Sequence, residues 1–98
     1  MVAQRRRSRH IQPVSGPEKA FGQALREIRQ KRELSQEQLG FDSGLDRTYI
    51  SLVERGIRSP TIRTVVKLAE VLNVTPSEMV RRMEAYLAKG RKQSRKTE

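Results

Sequence analysis

Apolar side chains recur along this chain at the spacing of a helix, and no stretch of useful length alternates as a strand would. From Glu18 onward, Phe21, Leu25 and Ile28 fall at i, i+4 and i+7 with Ala24 beside them, while Arg26, Glu27 and Gln30 face away. That spacing gives a first helix one side made for a core. Ser35 precedes Gln36, Glu37 and Gln38. Its hydroxyl can accept from a backbone N–H at the head of a second helix, and Gln38 at N3 is placed to complete a capping box. Ser43 and Gly44 stop that helix within about two turns. Asp46 is the expected N-cap of a third helix, which turns Ile50 and Val53 inward, and Gly56 can end it in the left-handed conformation. Thr61 heads a fourth, whose Ile62, Val65, Val66, Leu68, Ala69 and Leu72 form a broad apolar stripe. In "TPSE", Thr75 caps a fifth helix, Pro76 sits at N1, and Glu78 at N3 can reach back to the cap. Met79, Val80, Met83 and Leu87 line one side of it, and Gly90 marks its expected end. Five helices of roughly 7 to 14 residues, joined by turns of about 2 to 6, predict a compact all-α domain.

The second and third helices are separated only by "SGL". A linker that short, with a glycine, makes consecutive helices cross steeply, which is helix-turn-helix geometry. The internal order agrees: Gln36 opens the unit, Gly40 falls where the two helices cross, Gly44 makes the turn, and Ile50 and Val53 anchor the third helix.

The stretch "LREIRQKRELSQEQLGFDSGLDRTYISLVERGIRSPTIRTVVKLAEVLNVTPSEMV" resembles the lambda-repressor-like (Cro-type, or XRE) family of regulators. Within it, "LDRTYIS" followed by "ERG.RSPT" is most similar to the controller proteins of restriction-modification systems. The resemblance implies a five-helix DNA-binding domain that uses its helices two and three on operator DNA. Asp46, Arg47 and Thr48 then stand at the end of the third helix that such motifs push into the major groove, with Ser51 and Leu52 one turn later. Arg47 is the first candidate base contact, because its guanidinium can donate two parallel bonds to guanine. Thr48 can offer its hydroxyl to phosphate or its methyl to thymine, and Ser51 its hydroxyl to phosphate or a base edge. Acidic Asp46 reads as a cap. The family's phosphate clamp falls on Gln36, beside Ser35, where helix N–H groups favour an anion; the alternative is an ordinary first-turn glutamine. Arg58 matches a contact position of controller proteins, against a plain loop arginine. The Tyr49 ring either lies on the sugar-phosphate backbone or is partly buried. Arg29 and Glu54 match a structural pair that holds the third helix against the first. Gly40 replaces the usual alanine, and Phe41 stands where a polar residue is usual and has no assigned role.

Composition narrows the rest. The 98 residues contain no cysteine, one histidine (His10) and no tryptophan, so thiolate metal sites and cysteine nucleophiles are excluded. With no carboxylate pair in a segment expected to form a cleft, no enzyme, metal or cofactor is expected. No apolar run approaches a membrane span, and the amino-terminal arginines are followed by no hydrophobic stretch of a secretory signal, so a cytoplasmic protein is expected. The formal charge is +10 and unevenly spread. Residues 1–17 carry four arginines and no acid, and five cations face only Glu98 over residues 89–98. These segments read as basic arms (1–17 and 90–98) flanking a domain over 18–89, drawn to a polyanion or merely solubilising. Met79, Val80, Met83, Tyr86 and Leu87 either close the monomer core or form the joint of a homodimer on a pseudo-palindromic operator. An antitoxin-type module that binds DNA and also captures a second protein is the alternative.

Overall fold

Ser35, Asp46, Thr61 and Thr75 each turn a side-chain oxygen onto a backbone N–H, at 2.8 to 3.1 Å, and so fix where four helices begin. The computed structural model describes residues 16–96, with side chains through residue 90. Its elements are α1 Pro17–Lys31, α2 Gln36–Ser43, α3 Arg47–Glu54, α4 Ile62–Leu72 and α5 Pro76–Lys96. Among the described residues there is no strand. The basic arm expected over residues 1–17 lies, up to residue 15, outside the described residues.

α1 starts one residue earlier than its apolar pattern, because Pro17 at the first helical position loses nothing by lacking an N–H. Phe21, Leu25 and Ile28 are buried together with Ala20 and Ala24. They pack with Leu39 of α2, Ile50 and Val53 of α3, Leu68, Ala69 and Leu72 of α4 and Met79 of α5 into one core. α5 lies chiefly against α1, and α3 is held between α1 and α2. The crossing of α1 over α3 is set by Gly22, where a Cβ would collide with the carbonyl oxygens of Val53 and Glu54.

Four expectations are corrected. Neither capping box closes: Gln38 and Glu78 supply the N3 backbone N–H, but the Gln38 side chain donates to Asp42 at 2.8 Å, and Glu78 receives Arg81 and Arg82. The α4 stripe divides, with Leu68, Ala69 and Leu72 buried while Ile62 and Val66 point outward at 80% and 41% exposure. Met79 is wholly buried inside the monomer and has no surface to offer a second chain. Gly90 does not end α5, which continues to Lys96. One glycine costs a helix about 1 kcal/mol, and the surrounding Ala88, Lys89, Arg91 and Lys92 all favour helix. Residues 90–96 of the expected basic tail therefore continue α5 as helix.

Candidate nucleic-acid interface

The α2–α3 unit is built from small residues and a left-handed turn. Gly44 takes φ 72°, which lets α2 stop, and the Leu45 N–H returns to the Gly40 carbonyl at 2.8 Å. A Cβ on Gly40 would stand 2.6 Å from the Leu45 carbonyl oxygen and 3.3 Å from the Arg47 nitrogen, so glycine is what allows the head of α3 to sit this close to α2. The expected small residue at the crossing is thus present for a steric reason.

Asp46 caps α3 by accepting from the Thr48 N–H at 2.8 Å. Its carboxylate is occupied there, as its acidic character at this position predicts. Arg47 and Thr48 follow, both exposed. Ile50, Val53 and Glu54 form the buried side of α3, which leaves Thr48, Ser51 and Leu52 on the opposite side, the last two half-buried. Arg55, at i+7 from Thr48 and i+4 from Ser51, continues that outer side and is exposed. The sequence reading passed over Arg55, although the period of the helix itself places it there.

Tyr49 is half-buried and packs on the core, and the Arg58 guanidinium lies over its ring, 5.7 Å from the centroid. The turn carrying Arg58 is closed by the Leu52 carbonyl, which accepts from the Ile57 and Arg58 N–H groups at 2.9 and 3.3 Å. Arg58 is thereby held beside α3, and the stack on an aromatic ring favours a cation there.

Behind this surface lies a buried polar network. Arg29 donates to Glu54 through Nε at 2.6 Å and Nη2 at 3.0 Å, and to the Leu34 carbonyl through Nη1 at 2.8 Å. Both partners are buried, so the fork geometry matters: each charge meets its counter-charge with hydrogen bonds. Gln36 joins them, its Nε2 donating to Glu54 Oε1 at 2.9 Å. The Gln36 side chain is therefore anchored inward, which the sequence reading did not anticipate. The Ser35 hydroxyl is engaged in the α2 cap.

The expected dimer surface is altered. Val80 is 41% exposed, Met83 and Leu87 are half-buried, and the Tyr86 hydroxyl donates to Glu27 at 2.8 Å. Ile62 and Val66 of the α4 stripe join Val80 on the outside. Ile62 and Val80 flank a groove of about 190 Å³ lined also by Phe21, Pro60, Val65 and Met83. Phe41 is 81% exposed on α2. Among the described residues no helix is long and apolar enough to cross a membrane.

Comparison with known proteins gives the same unit. A helix-turn-helix family pattern matches residues 25–79. The control protein C.BamHI of Bacillus amyloliquefaciens is 43% identical over 61 residues, 61% of this chain and 75% of its own length. The controller protein C.AhdI of Aeromonas hydrophila superposes with a TM-score of 0.61 at 49% identity, covering 62% of this chain and 92% of that one. The controller protein C.Esp1396I, solved as a tetramer on its natural 35 base-pair operator, superposes with a TM-score of 0.69 at 28% identity, covering 76% and 99%. The matched residues run from the middle of α1 to the first turn of α5 and take in every side chain of the α2–α3 unit described above, so this chain belongs to the helix-turn-helix family of the XRE, lambda-repressor-like type.

Proposed function

We propose that this protein is a sequence-specific double-stranded DNA-binding transcription regulator, acting as a homodimer on a pseudo-palindromic operator with α3 in the major groove. The observation that carries the reading is the head of α3: Arg47 and Thr48 stand exposed, with no acid in the first turn, on a helix whose other side is locked to the core. Arg47 reads a guanine, and Thr48 and Ser51 contact neighbouring base edges or phosphates, with Leu52 against a base edge. Gln36, Arg58, Tyr49 and the N-terminal turn of α2 at Ser35 meet the sugar-phosphate backbone on either side. Arg5, Arg6, Arg7 and Arg9 add affinity independent of sequence. A single recognition helix reads few base pairs, so two copies about 34 Å apart are needed for a useful site. The outward Ile62, Val66 and Val80, with the groove between Ile62 and Val80, supply an apolar face for that pairing in place of buried Met79.

Selection of bound duplexes from a random pool tests the reading as a whole. The expected product is a two-fold symmetric site with half-sites one helical turn apart, bound by two chains. An enriched site without symmetry, bound by one chain, removes the dimer; no enriched sequence removes sequence-specific recognition. Arg47→Ala is expected to relax specificity at one base pair per half-site, by about 1 to 3 kcal/mol. Equal weakening on every sequence would make Arg47 a backbone contact.

A further inference from the structure

Gln36, at the head of α2, and Glu54, the last residue of α3, touch although 18 positions apart. Glu54 Oε1 is shared: it accepts from Gln36 Nε2 at 2.9 Å and from Arg29 Nη2 at 3.0 Å, while Glu54 Oε2 takes Arg29 Nε at 2.6 Å. Arg29 cannot swing away, because its remaining arm holds the Leu34 carbonyl. A carboxylate paired in this way only accepts, so it settles the orientation of the Gln36 amide. The nitrogen faces Glu54; a reversed amide would set two acceptors against each other. One amide N–H is engaged by Glu54 and the other is left to donate elsewhere.

The surroundings of that second N–H favour an anion. The Ser35 hydroxyl takes the Gln38 N–H, and the Leu39 N–H takes the Ser35 carbonyl. The Gln36 and Glu37 N–H groups are at the first two helical positions, where a helix offers no partner. An approaching phosphate oxygen meets those backbone donors, and the Gln36 side chain adds to them only if its amide presents nitrogen.

The geometry points to Glu54 as a positioning residue for DNA binding: it holds the Gln36 amide in the donor orientation that a phosphate requires. Because Glu54 also ends α3, it ties the backbone contact made from α2 to the placement of the helix that reads bases. This rests on the DNA-binding function proposed above and adds a residue that does not itself touch DNA.

The test is affinity for the selected operator at fixed salt, measured where circular dichroism shows each variant fully helical. Gln36→Met, which keeps the Arg29–Glu54 pair, is expected to weaken binding roughly 10-fold by removing a charge-assisted hydrogen bond to phosphate, with the salt slope unchanged because a neutral amide displaces no counterion. The paired change Arg29→Met with Glu54→Met replaces the buried ion pair by apolar side chains and leaves Gln36 without its acceptor. It is expected to weaken binding equally, and adding Gln36→Met to it should weaken binding no further. Full affinity in the paired variant, with only its thermal stability changed, overturns the inference while leaving DNA binding intact. Unchanged affinity in Gln36→Met removes the contact itself and the inference with it. Should the paired variant not fold, the unmodified protein supplies the check through the nitrogen-15 spectrum of its side-chain amides. The Gln36 pair is expected to stand apart from the signals of exposed glutamines and to shift when operator is added. Signals that coincide with those of exposed glutamines, or that operator leaves unmoved, overturn the inference.

Discussion

The turn between α2 and α3 and the turn between α4 and α5 have the same backbone. In the first, Gly44 at φ 72° ends the helix, the Leu45 N–H returns to the Gly40 carbonyl at 2.8 Å, and Asp46 caps α3. In the second, Asn73 at φ 59° ends α4, the Val74 N–H returns to the Ala69 carbonyl at 3.0 Å, and Thr75 caps α5. Both put an apolar residue, Leu45 or Val74, against the core. The difference lies in the next turn of helix. α3 opens with exposed Arg47 and Thr48, whereas α5 opens with Pro76, Ser77 and Glu78 and then drives Met79 into the core. Glu78 sets a negative charge where an anion would otherwise be welcome, and the missing Pro76 N–H removes a donor. The shared turn orients two helices; the residues just after it decide whether the second presents exposed polar side chains or packs as a strut.

Arginines also close onto the carbonyls of two turns, the one before α2 and the one between α4 and α5, and these two differ. Arg29 reaches Leu34, ahead of α2, from a buried position, and Arg32 reaches Asn73 at 3.1 Å from an exposed one. The largest expected effect follows from the first: Arg29→Met strands Glu54 in the interior and should cost about 3 to 5 kcal/mol in urea unfolding. Arg32→Met, on the surface, should stay within about 0.5 kcal/mol. Next comes the crossing at Gly40. Gly40→Val drives a side chain into the Leu45 carbonyl and should cost about 1 to 3 kcal/mol, with DNA binding lost before the helical signal is. The caps sharpen the comparison further. Asp46→Ala and Thr75→Ala should each lower stability by about 1 kcal/mol, yet only Asp46→Ala should weaken operator binding in a gel-shift assay at equal folded fraction. Equal weakening by both would mean that the two helix heads are not functionally distinct.

The smallest effect is pH-dependent and belongs to the clasp between α1 and α5. Glu27 accepts from the Tyr86 hydroxyl and pairs with Arg82 and Lys31. The Tyr86 hydrogen bond first, and then the Arg82 and Lys31 charges, hold the Glu27 carboxyl below its ordinary range against an opposing push from burial. A carboxylate lowered in the fold contributes fully above its unfolded value, about 4.3, and that contribution is lost as pH falls through the lower folded value. The melting temperature should fall across that acid window, and Glu27→Gln should flatten the fall. An unchanged acid limb in that variant would show that other carboxylates set it.

Helix starts were legible in the sequence because a cap is a local event: Ser35, Asp46, Thr61 and Thr75 need only the next few residues of the chain. The Gly44 turn and the inward Ile50 and Val53 were legible for the same reason. Periodicity alone did not say how much of a stripe the neighbouring helices would cover, so it could not separate the outward Ile62 and Val66 from buried Leu68, nor decide that Met79 closes the monomer core. Two decisive features involve residues far apart in sequence. Gly22 is small because of α3, and Gln36 turns inward because of Glu54. Nothing next to either residue carries that information. The family resemblance supplied the pairing of Arg29 with Glu54, which spacing by itself could not.

With no tryptophan and two tyrosines, the chain has one natural fluorophore in each of two places. Tyr49 sits on α3 under Arg58, and Tyr86 sits in the α1–α5 clasp beside Lys89. Replacing Tyr86 with phenylalanine leaves emission from Tyr49 alone, so docking onto a duplex could be followed by intrinsic ultraviolet fluorescence without attaching a dye to either partner.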